Sequence, residues 1–232
     1  MANLDASTLP VDGARKSRKI AVLCAFVAWT TVTGVAVAAL TDYASRPGIA
    51  ARAPTSWPKT TRLARTPGRS TLVMIAHTKC SCTRASLHEL ADVMATTGDR
   101  LDAIVVFVGP HEGSGLGGII DLRASASAIP NVRVIEDESE ARVFGAATSG
   151  QTLLYDEDGA LVFRGGLTVA RGHEGESAGG ELVKRFASAD AAMRRRHAAT
   201  SSTSSTSSTS STSPSRSDVF GCSLFDNHIK EP

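Results

Sequence analysis

An uncharged apolar run near the N-terminus constrains the possible folds of this chain more than any other feature. The run extends from Ile20 to Leu40, and none of its 21 residues is charged. A helix of that length measures about 31 Å, which is enough to cross a hydrocarbon core of about 30 Å. The sequence therefore predicts one transmembrane helix at residues 20–40, after an N-terminal segment of residues 1–19.

The charges on either side of the run predict its orientation. Four cations lie within positions 15–19, whereas the first cations after the run are Arg46 and Arg52. Because cytoplasmic loops carry the excess of Lys and Arg, we expect a cytoplasmic N-terminus. The protein is then expected in the cell membrane, with the rest of the chain outside the cytoplasm, in the periplasm. A cleaved secretory signal is the alternative, because Ala36-Val37-Ala38 resembles a cleavage site.

Composition divides the remainder into four further segments. Residues 41–70 contain four prolines and no apolar period, which predicts an extended linker. Residues 71–197 carry the patterns of a folded domain. Residues 198–218 include 14 consecutive Ser and Thr residues, which bury almost nothing and predict a disordered linker. Residues 219–232 become apolar again around Cys222, which favours a docking segment.

Hydrophobic patterns within residues 71–197 alternate between the periods of strands and helices. Strand patterns occupy residues 71–76, 103–108, 132–135, 151–155 and 160–163, and helical patterns surround residues 87–94, 119–126, 138–144 and 182–193. The last two strands flank Asp158-Gly159, which favours a tight hairpin turn. This order predicts an α/β domain with a mixed sheet flanked by helices.

Two thiols, Cys80 and Cys82, lie where the first strand of this domain ends and its first long helix begins. The positive end of the helix dipole, together with Lys79 and Arg84, favours the thiolate, which is the reacting form of cysteine. A bond between these thiols needs Cα atoms about 4.4–6.8 Å apart, which constrains the turn and makes the bond more reducible. The pair is therefore predicted to act as a catalytic or sensing disulfide.

Three further residues are candidates for the same site. Cys222 would serve as a second resolving thiol or as a third soft ligand, and a free thiol on the tail is the alternative. His77 lies three residues before Cys80, and His173 lies in a glycine-flanked loop after the hairpin. Imidazole and thiolate together suit Cu(I) or Zn²⁺, although either histidine is equally consistent with a purely structural or solvated position.

The strand, the Cys pair and the helix, followed by FGAATSGQTLLYDEDGALVFRGGL and a final helix, resemble the thioredoxin fold. The resemblance is to membrane-anchored redoxins, in particular the bacterial redoxin-like proteins labelled RedB. It implies that Cys80 is an exposed attacking thiol and Cys82 the resolving thiol, although the family usually has two residues between its thiols and this chain has one. Gly150 stands where such proteins usually carry a cis-proline, which implies a site more open to a metal.

These observations predict a membrane-anchored extracytoplasmic thiol-disulfide oxidoreductase that requires no cofactor. Its expected partners are exported proteins or small-molecule thiols and disulfides. The alternative is a copper-binding or copper-delivery protein whose candidate ligands are His77, Cys80, Cys82 and His173. A thiol peroxidase is disfavoured, because by resemblance Thr would stand at the position of His77. A thioredoxin-like interaction module is the remaining alternative.

Other classes are excluded by composition. A net charge of +2 and an aromatic content of 5% supply neither the basic surface nor the stacking platform of a nucleic-acid-binding protein. Four cysteines in 232 residues are too few for a scaffold built on disulfides.

Overall fold

The computed structural model of the chain describes residues 11–78, 80–109, 121–189 and 214–225. These residues divide into an N-terminal unit that ends at Tyr43 and a larger unit that begins at Ala44. Helix α1 (Val11–Ser45) contributes its residues 11–43 to the first unit, and its segment Lys16–Ser45 is long and apolar enough to cross a membrane. The predicted apolar helix is thus confirmed as a candidate span, and it extends past Leu40.

Six strands form one mixed sheet among the described residues of the larger unit. They are β1 (Ser70–His77), β2 (Leu101–Val108), β3 (Val132–Glu136), β4 (Gln151–Tyr155), β5 (Leu161–Gly165) and β6 (Ser215–Arg216). Their order across the sheet is β3-β2-β1-β4-β5-β6. The first three strands run parallel, and β4 is antiparallel to both β1 and β5. This arrangement confirms the predicted mixed α/β sheet with an antiparallel hairpin.

Helices cover both faces of the sheet. They are α2 (Ser81–Thr97), α3 (Leu122–Ser127), α4 (Glu138–Val143) and α5 (Ala178–Ser188). Successive side chains of a strand point to opposite faces, so Leu72 and Met74 of β1 pack with α2 and α5, whereas Val73 and Ile75 pack on the side of α4. Because β1 is buried on both faces, its sequence is continuously apolar rather than alternating.

Residues between α1 and β1 pack on the second face of the sheet. The Trp57 ring centroid lies 5.3 Å from that of Phe144 and 5.2 Å from that of Tyr155, both in edge-to-face geometry. The backbone N–H of Ala51 also donates to Oε1 of Gln151 at 3.0 Å. The described stretch between α1 and β1 contains no helix or extended strand, but Ala51, Trp57 and Leu63 pack in the core cluster on that face. The prediction of a separate linker at residues 41–70 is corrected accordingly.

The C-terminal segment, residues 214–225, also belongs to this domain. Strand β6 pairs in parallel with β5, and Val219 is buried. Residues 214–218, which the sequence analysis assigned to a disordered linker, are therefore part of the folded domain, because the backbone of β5 provides an edge with which they pair. The remainder of that linker, and the predicted helix residue Met193, lie outside the described residues.

Candidate functional site

The turn between β1 and α2 positions the first thiol. The backbone N–H of Cys80 donates to the carbonyl of His77 at 3.2 Å, and the Thr83 hydroxyl donates to the same carbonyl at 3.0 Å. Cys80 is the N-cap residue of α2, and its side chain makes no capping hydrogen bond. The first turn of α2 contains no acidic residue. The positive end of the helix is therefore available to favour negative charge on sulfur.

Three sulfur atoms converge at this helix start. The Sγ atoms of Cys80 and Cys222 are 2.7 Å apart, and the Sγ atoms of Cys80, Cys82 and Cys222 all lie within 4.8 Å of one another. All three residues are free cysteines. The sequence placed Cys222 on a tail, 142 positions from Cys80, and the structure brings it into the site.

Burial of the thiols differs from what the resemblance implies. Cys80 is 2% exposed and Cys82 is 7% exposed, whereas Cys222 is half-buried. The prediction that Cys80 is an exposed thiol is wrong in this structure. Cys80 is buried where the C-terminal segment places Cys222 directly beside it.

Hydrogen bonds within the cluster separate the acidities of the three thiols. The hydrogen bonds that Cys80 makes with Cys222 and Cys82 lower the pKa of Cys80, although its burial acts to raise it. The hydrogen bond with Cys222 also lowers the pKa of Cys82, but its hydrogen bond with Cys80 and its burial outweigh this and raise the pKa overall. Hydrogen bonds with Cys80 and Cys82, and then burial, raise the pKa of Cys222. Cys80 is therefore the thiol that carries the negative charge.

The backbone of the C-terminal segment pairs with the loop of residues 147–149. The N–H of Ser149 donates to the Cys222 carbonyl at 2.8 Å, and the N–H of Leu224 donates to the Ala147 carbonyl at 2.9 Å. Thr148 and Ser223 form an antiparallel bridge between these two hydrogen bonds. The two peptide units that follow Cys222 are thus held beside the loop, which restricts the position of its sulfur atom.

Gly150 lies directly after this loop. Its φ of +86° is in the left-handed region, and its N–H donates to the Ile75 carbonyl at 2.8 Å. A Cβ at this position would lie 3.0 Å from the Ser86 hydroxyl and 3.8 Å from the Phe220 carbonyl. The described residues contain no cis peptide bond. The Phe220 carbonyl of the C-terminal segment thus lies beside Gly150, where the resemblance implied a more open site.

The predicted supporting residues have different positions. His77 contributes its backbone to the turn and donates its N–H to the Ser149 hydroxyl at 2.9 Å. Arg84 is exposed and pairs with Glu174, Nε to Oε1, at 3.5 Å. His173 lies in an exposed loop, and Lys79 lies outside the described residues. Within the described part of the chain, the only group of side chains close enough to share a metal ion contains the three cysteines and neither histidine.

Arg171 is a site residue that the sequence analysis missed. Its guanidinium donates a hydrogen bond to the Gly221 carbonyl, directly before Cys222. Its charge also acts to lower the pKa of Cys82. Arg171 lies in the loop after β5, and no motif in its neighbourhood distinguishes it from the other 24 Lys and Arg residues of the chain.

The strand order, the cysteine at the start of α2 and the antiparallel hairpin match the arrangement that the sequence resembles. The domain has a thioredoxin-like fold. No protein-family model and no curated protein matches the chain.

Solved structures with a similar fold include three at low sequence identity. A hypothetical protein from Sinorhizobium meliloti is 16% identical over 78% of this chain and 96% of its own, with a TM-score of 0.41. StoA from Bacillus subtilis is 13% identical over 61% of this chain and 98% of its own, with a TM-score of 0.38. Copper-bound ScoI from Arabidopsis thaliana is 14% identical over 56% and 86%, with a TM-score of 0.37. At these identities the likeness is one of fold alone.

The acidity of Cys80 gives a pH prediction. Since hydrogen bonds with the other two thiols lower its pKa, the reduced protein should retain one thiolate when the pH falls to about 5. Cys222→Ser removes the first of those thiol partners and should move this titration upward, toward about 8.5. Ultraviolet absorbance of the thiolate, recorded against pH, measures the titration of Cys80 in wild type and in Cys222→Ser. Cys24→Ser serves as the control. A protein without thiolate absorbance at that pH would contradict the proposed hydrogen bonding.

Proposed function

We propose that this protein is a membrane-anchored thiol-disulfide oxidoreductase whose attacking residue is Cys80. The observation that supports this most directly is the 2.7 Å separation of the Cys80 and Cys222 Sγ atoms at the N-terminus of α2. A second thiol beside a thiolate is what exchange chemistry requires, because the first mixed disulfide must be resolved. Cys82 lies within 4.8 Å of both sulfurs and completes the cluster.

Disulfide exchange at this site would take two steps. The Cys80 thiolate attacks one sulfur of a substrate disulfide, and the second substrate sulfur leaves as a thiolate. A neighbouring thiol then loses its proton to solvent, attacks Sγ of Cys80 and releases the first substrate sulfur as a thiolate. The substrate disulfide has gained two electrons, and the protein has formed one disulfide. An external dithiol returns the protein to its reduced form.

Two residues are candidates for the second step. The resemblance to redoxins implies Cys82, and the position of the C-terminal segment favours Cys222. The Cys80–Cys82 bond would close across a single intervening residue at a helix start, whereas a Cys80–Cys222 bond joins two separate elements and leaves that turn unstrained. The raised pKa of both residues keeps them protonated until Cys80 has reacted.

The proposed location follows from helix α1. We infer that α1 anchors the protein in the cell membrane, with residues 1–19 in the cytoplasm and the redox domain in the periplasm or its equivalent. Disulfide exchange suits an oxidising compartment, where exported proteins and small-molecule thiols are the available substrates. No metal or organic cofactor takes part in the exchange steps.

Substitution of the attacking thiol tests this proposal. Cys80→Ser should abolish the reversible two-electron redox change of the domain and reduce its disulfide exchange with a model disulfide to the background rate. Cys24→Ser should leave both unchanged, because Cys24 lies in α1. Redox titration with alkylation trapping measures the first quantity. An unaltered titration in Cys80→Ser would remove the proposal.

The convergence of three sulfurs also supports a second candidate function, the capture or delivery of Cu(I). Thiolates are the soft ligands that Cu(I) prefers, and three Sγ atoms within 4.8 Å of one another fit a single ion. Of the candidate ligands that the sequence offered, this set keeps Cys80, Cys82 and Cys222 as the third soft ligand and leaves out His77 and His173. The bound ion would be cargo in this function and would not take part in exchange.

Competition with a Cu(I) chelator under anaerobic conditions tests this candidate. Reduced protein should bind one Cu(I), and Cys222→Ser should weaken the affinity by more than the about 10–100-fold that loss of a supporting residue produces. His77→Ala and His173→Ala are the controls and should retain the wild-type affinity. Weaker binding in the histidine variants, with full binding in Cys222→Ser, would exclude the three-sulfur site.

A further inference from the structure

The C-terminal segment is bound to the domain as an extended polypeptide. Its hydrogen bonds with Ala147 and Ser149 are those of an antiparallel ladder, and its strand β6 adds to the free edge of β5. Addition of an extended chain to exposed backbone is a recognition mode in which main-chain hydrogen bonds provide affinity and side-chain pockets provide specificity. The segment therefore lies in a groove of the kind that binds extended peptides, and this groove passes the thiols.

Glycines create the space in this groove. A Cβ on Gly221 would lie 1.9 Å from the carbonyl oxygen of Ser149. A Cβ on Gly165 would lie 2.0 Å from the hydroxyl oxygen of Ser217, and one on Gly166 would lie 2.8 Å from the carbonyl oxygen of Asp218. The two backbones approach closely only because these positions lack side chains. A side chain at Gly221 would therefore displace the segment without altering any thiol.

Apolar contacts anchor the segment on both sides of Cys222. Val219 is 2% exposed and accepts a hydrogen bond from the Gly48 N–H at 2.7 Å. Leu224 is 5% exposed within the core cluster around Phe144. Phe225 receives the Arg142 guanidinium over its ring, with Cζ 3.9 Å from the ring centroid. The groove thus takes apolar residues three positions before and two positions after the cysteine.

We infer that residues 214–225 are a tethered competitor that occupies the groove for a cysteine-containing polypeptide substrate. This inference rests on the proposed exchange function and specifies its substrate class and its regulation. The substrate is an extended segment with a small residue before its cysteine and an apolar residue two positions after it. Such a segment reaches Cys80 only when the C-terminal segment has left the groove, since Cys80 is 2% exposed while the segment is bound.

Return of the segment completes the reaction. After Cys80 has formed a mixed disulfide with the polypeptide, Cys222 re-enters with the C-terminal segment and attacks Sγ of Cys80. The bond from Cys80 to the substrate sulfur breaks, a Cys80–Cys222 bond forms, and the substrate leaves as a thiolate from a groove that is again occupied. An external dithiol then attacks the half-buried Cys222 and becomes a disulfide itself, which restores the reduced protein.

A kinetic experiment on the full chain tests the inference. The probe is the nonapeptide of residues 217–225, SDVFGCSLF, with its cysteine joined to thionitrobenzoate as a mixed disulfide. Attack by the reduced protein releases thionitrobenzoate, whose absorbance reports the first step. Rates are compared at the plateau of the pH profile, where Cys80 is fully ionised in every variant, and the rate of Cys80→Ser is subtracted.

Displacement of the segment should accelerate this step. Gly221→Val should react about tenfold faster than wild type, which corresponds to a groove occupied in about nine molecules of ten. Gly221→Ala introduces the same Cβ with less bulk and should also react faster, which keeps the test available if the valine variant does not fold. The matched control is Asp218→Ala, an exposed position of the same segment that contributes its carbonyl, and it should react at the wild-type rate.

The outcomes separate the inference from the function on which it rests. Equal rates in wild type and both folded Gly221 variants would overturn the inference while leaving exchange by Cys80 intact. A Cys80→Ser protein that reacts as fast as wild type would overturn the exchange function itself. The mixed disulfide of free cysteine with thionitrobenzoate is the small-molecule probe. If Gly221→Val shows no preference for the peptide over this probe, a polypeptide substrate is excluded.

Discussion

The pairing of the C-terminal segment with the 147–149 loop is the interaction on which the site depends. Two backbone hydrogen bonds, Ser149 to Cys222 and Leu224 to Ala147, hold the two peptide units that follow the third thiol. With them, Cys80 is buried, hydrogen bonds within the cluster lower the pKa of Cys80, and a second thiol lies 2.7 Å from its sulfur. In the proposed mechanism, the reactivity of Cys80 and the access of substrate to it therefore depend on the same contact.

The fold prepares this contact from several directions. Strand β5 would otherwise be the edge of the sheet, and an exposed edge pairs readily with another chain. The C-terminal segment supplies that partner from within the molecule. Arg171 links the loop after the hairpin to the carbonyl of Gly221 and places one positive charge near the thiols. Extended residues 44–70 contribute to the same region, since Gly48 donates to the carbonyl of Val219. The C-terminal segment is thus held by three neighbouring parts of the domain, which are strand β5, the loop that contains Arg171 and residues 44–70.

Local patterns predicted the fold well and the site only in part. The continuous apolar run of β1, the Asp158-Gly159 turn and the start of α2 at the cysteine pair are consequences of local periodicity and turn chemistry, and the structure has all three. The burial of Cys80, the role of Arg171 and the convergence of Cys222 depend on contacts between residues far apart in the chain, which no periodicity records. The need for glycine at position 221 likewise follows from a distant residue, because a Cβ there would clash with the Ser149 carbonyl. The short apolar stretch around Cys222 indicated docking, but not where the segment docks.

Identification of the first disulfide formed on oxidation tests this account most directly. The reduced full-length protein is oxidised with a stoichiometric disulfide reagent, quenched with acid, digested and mapped by mass spectrometry. The account predicts a cross-link between the peptides that contain Cys80 and Cys222 in wild type, and its disappearance in Gly221→Val. A bond between Cys80 and Cys82 as the first product, with Cys222 alkylated as a free thiol, would contradict the position of the C-terminal segment and the mechanism built on it.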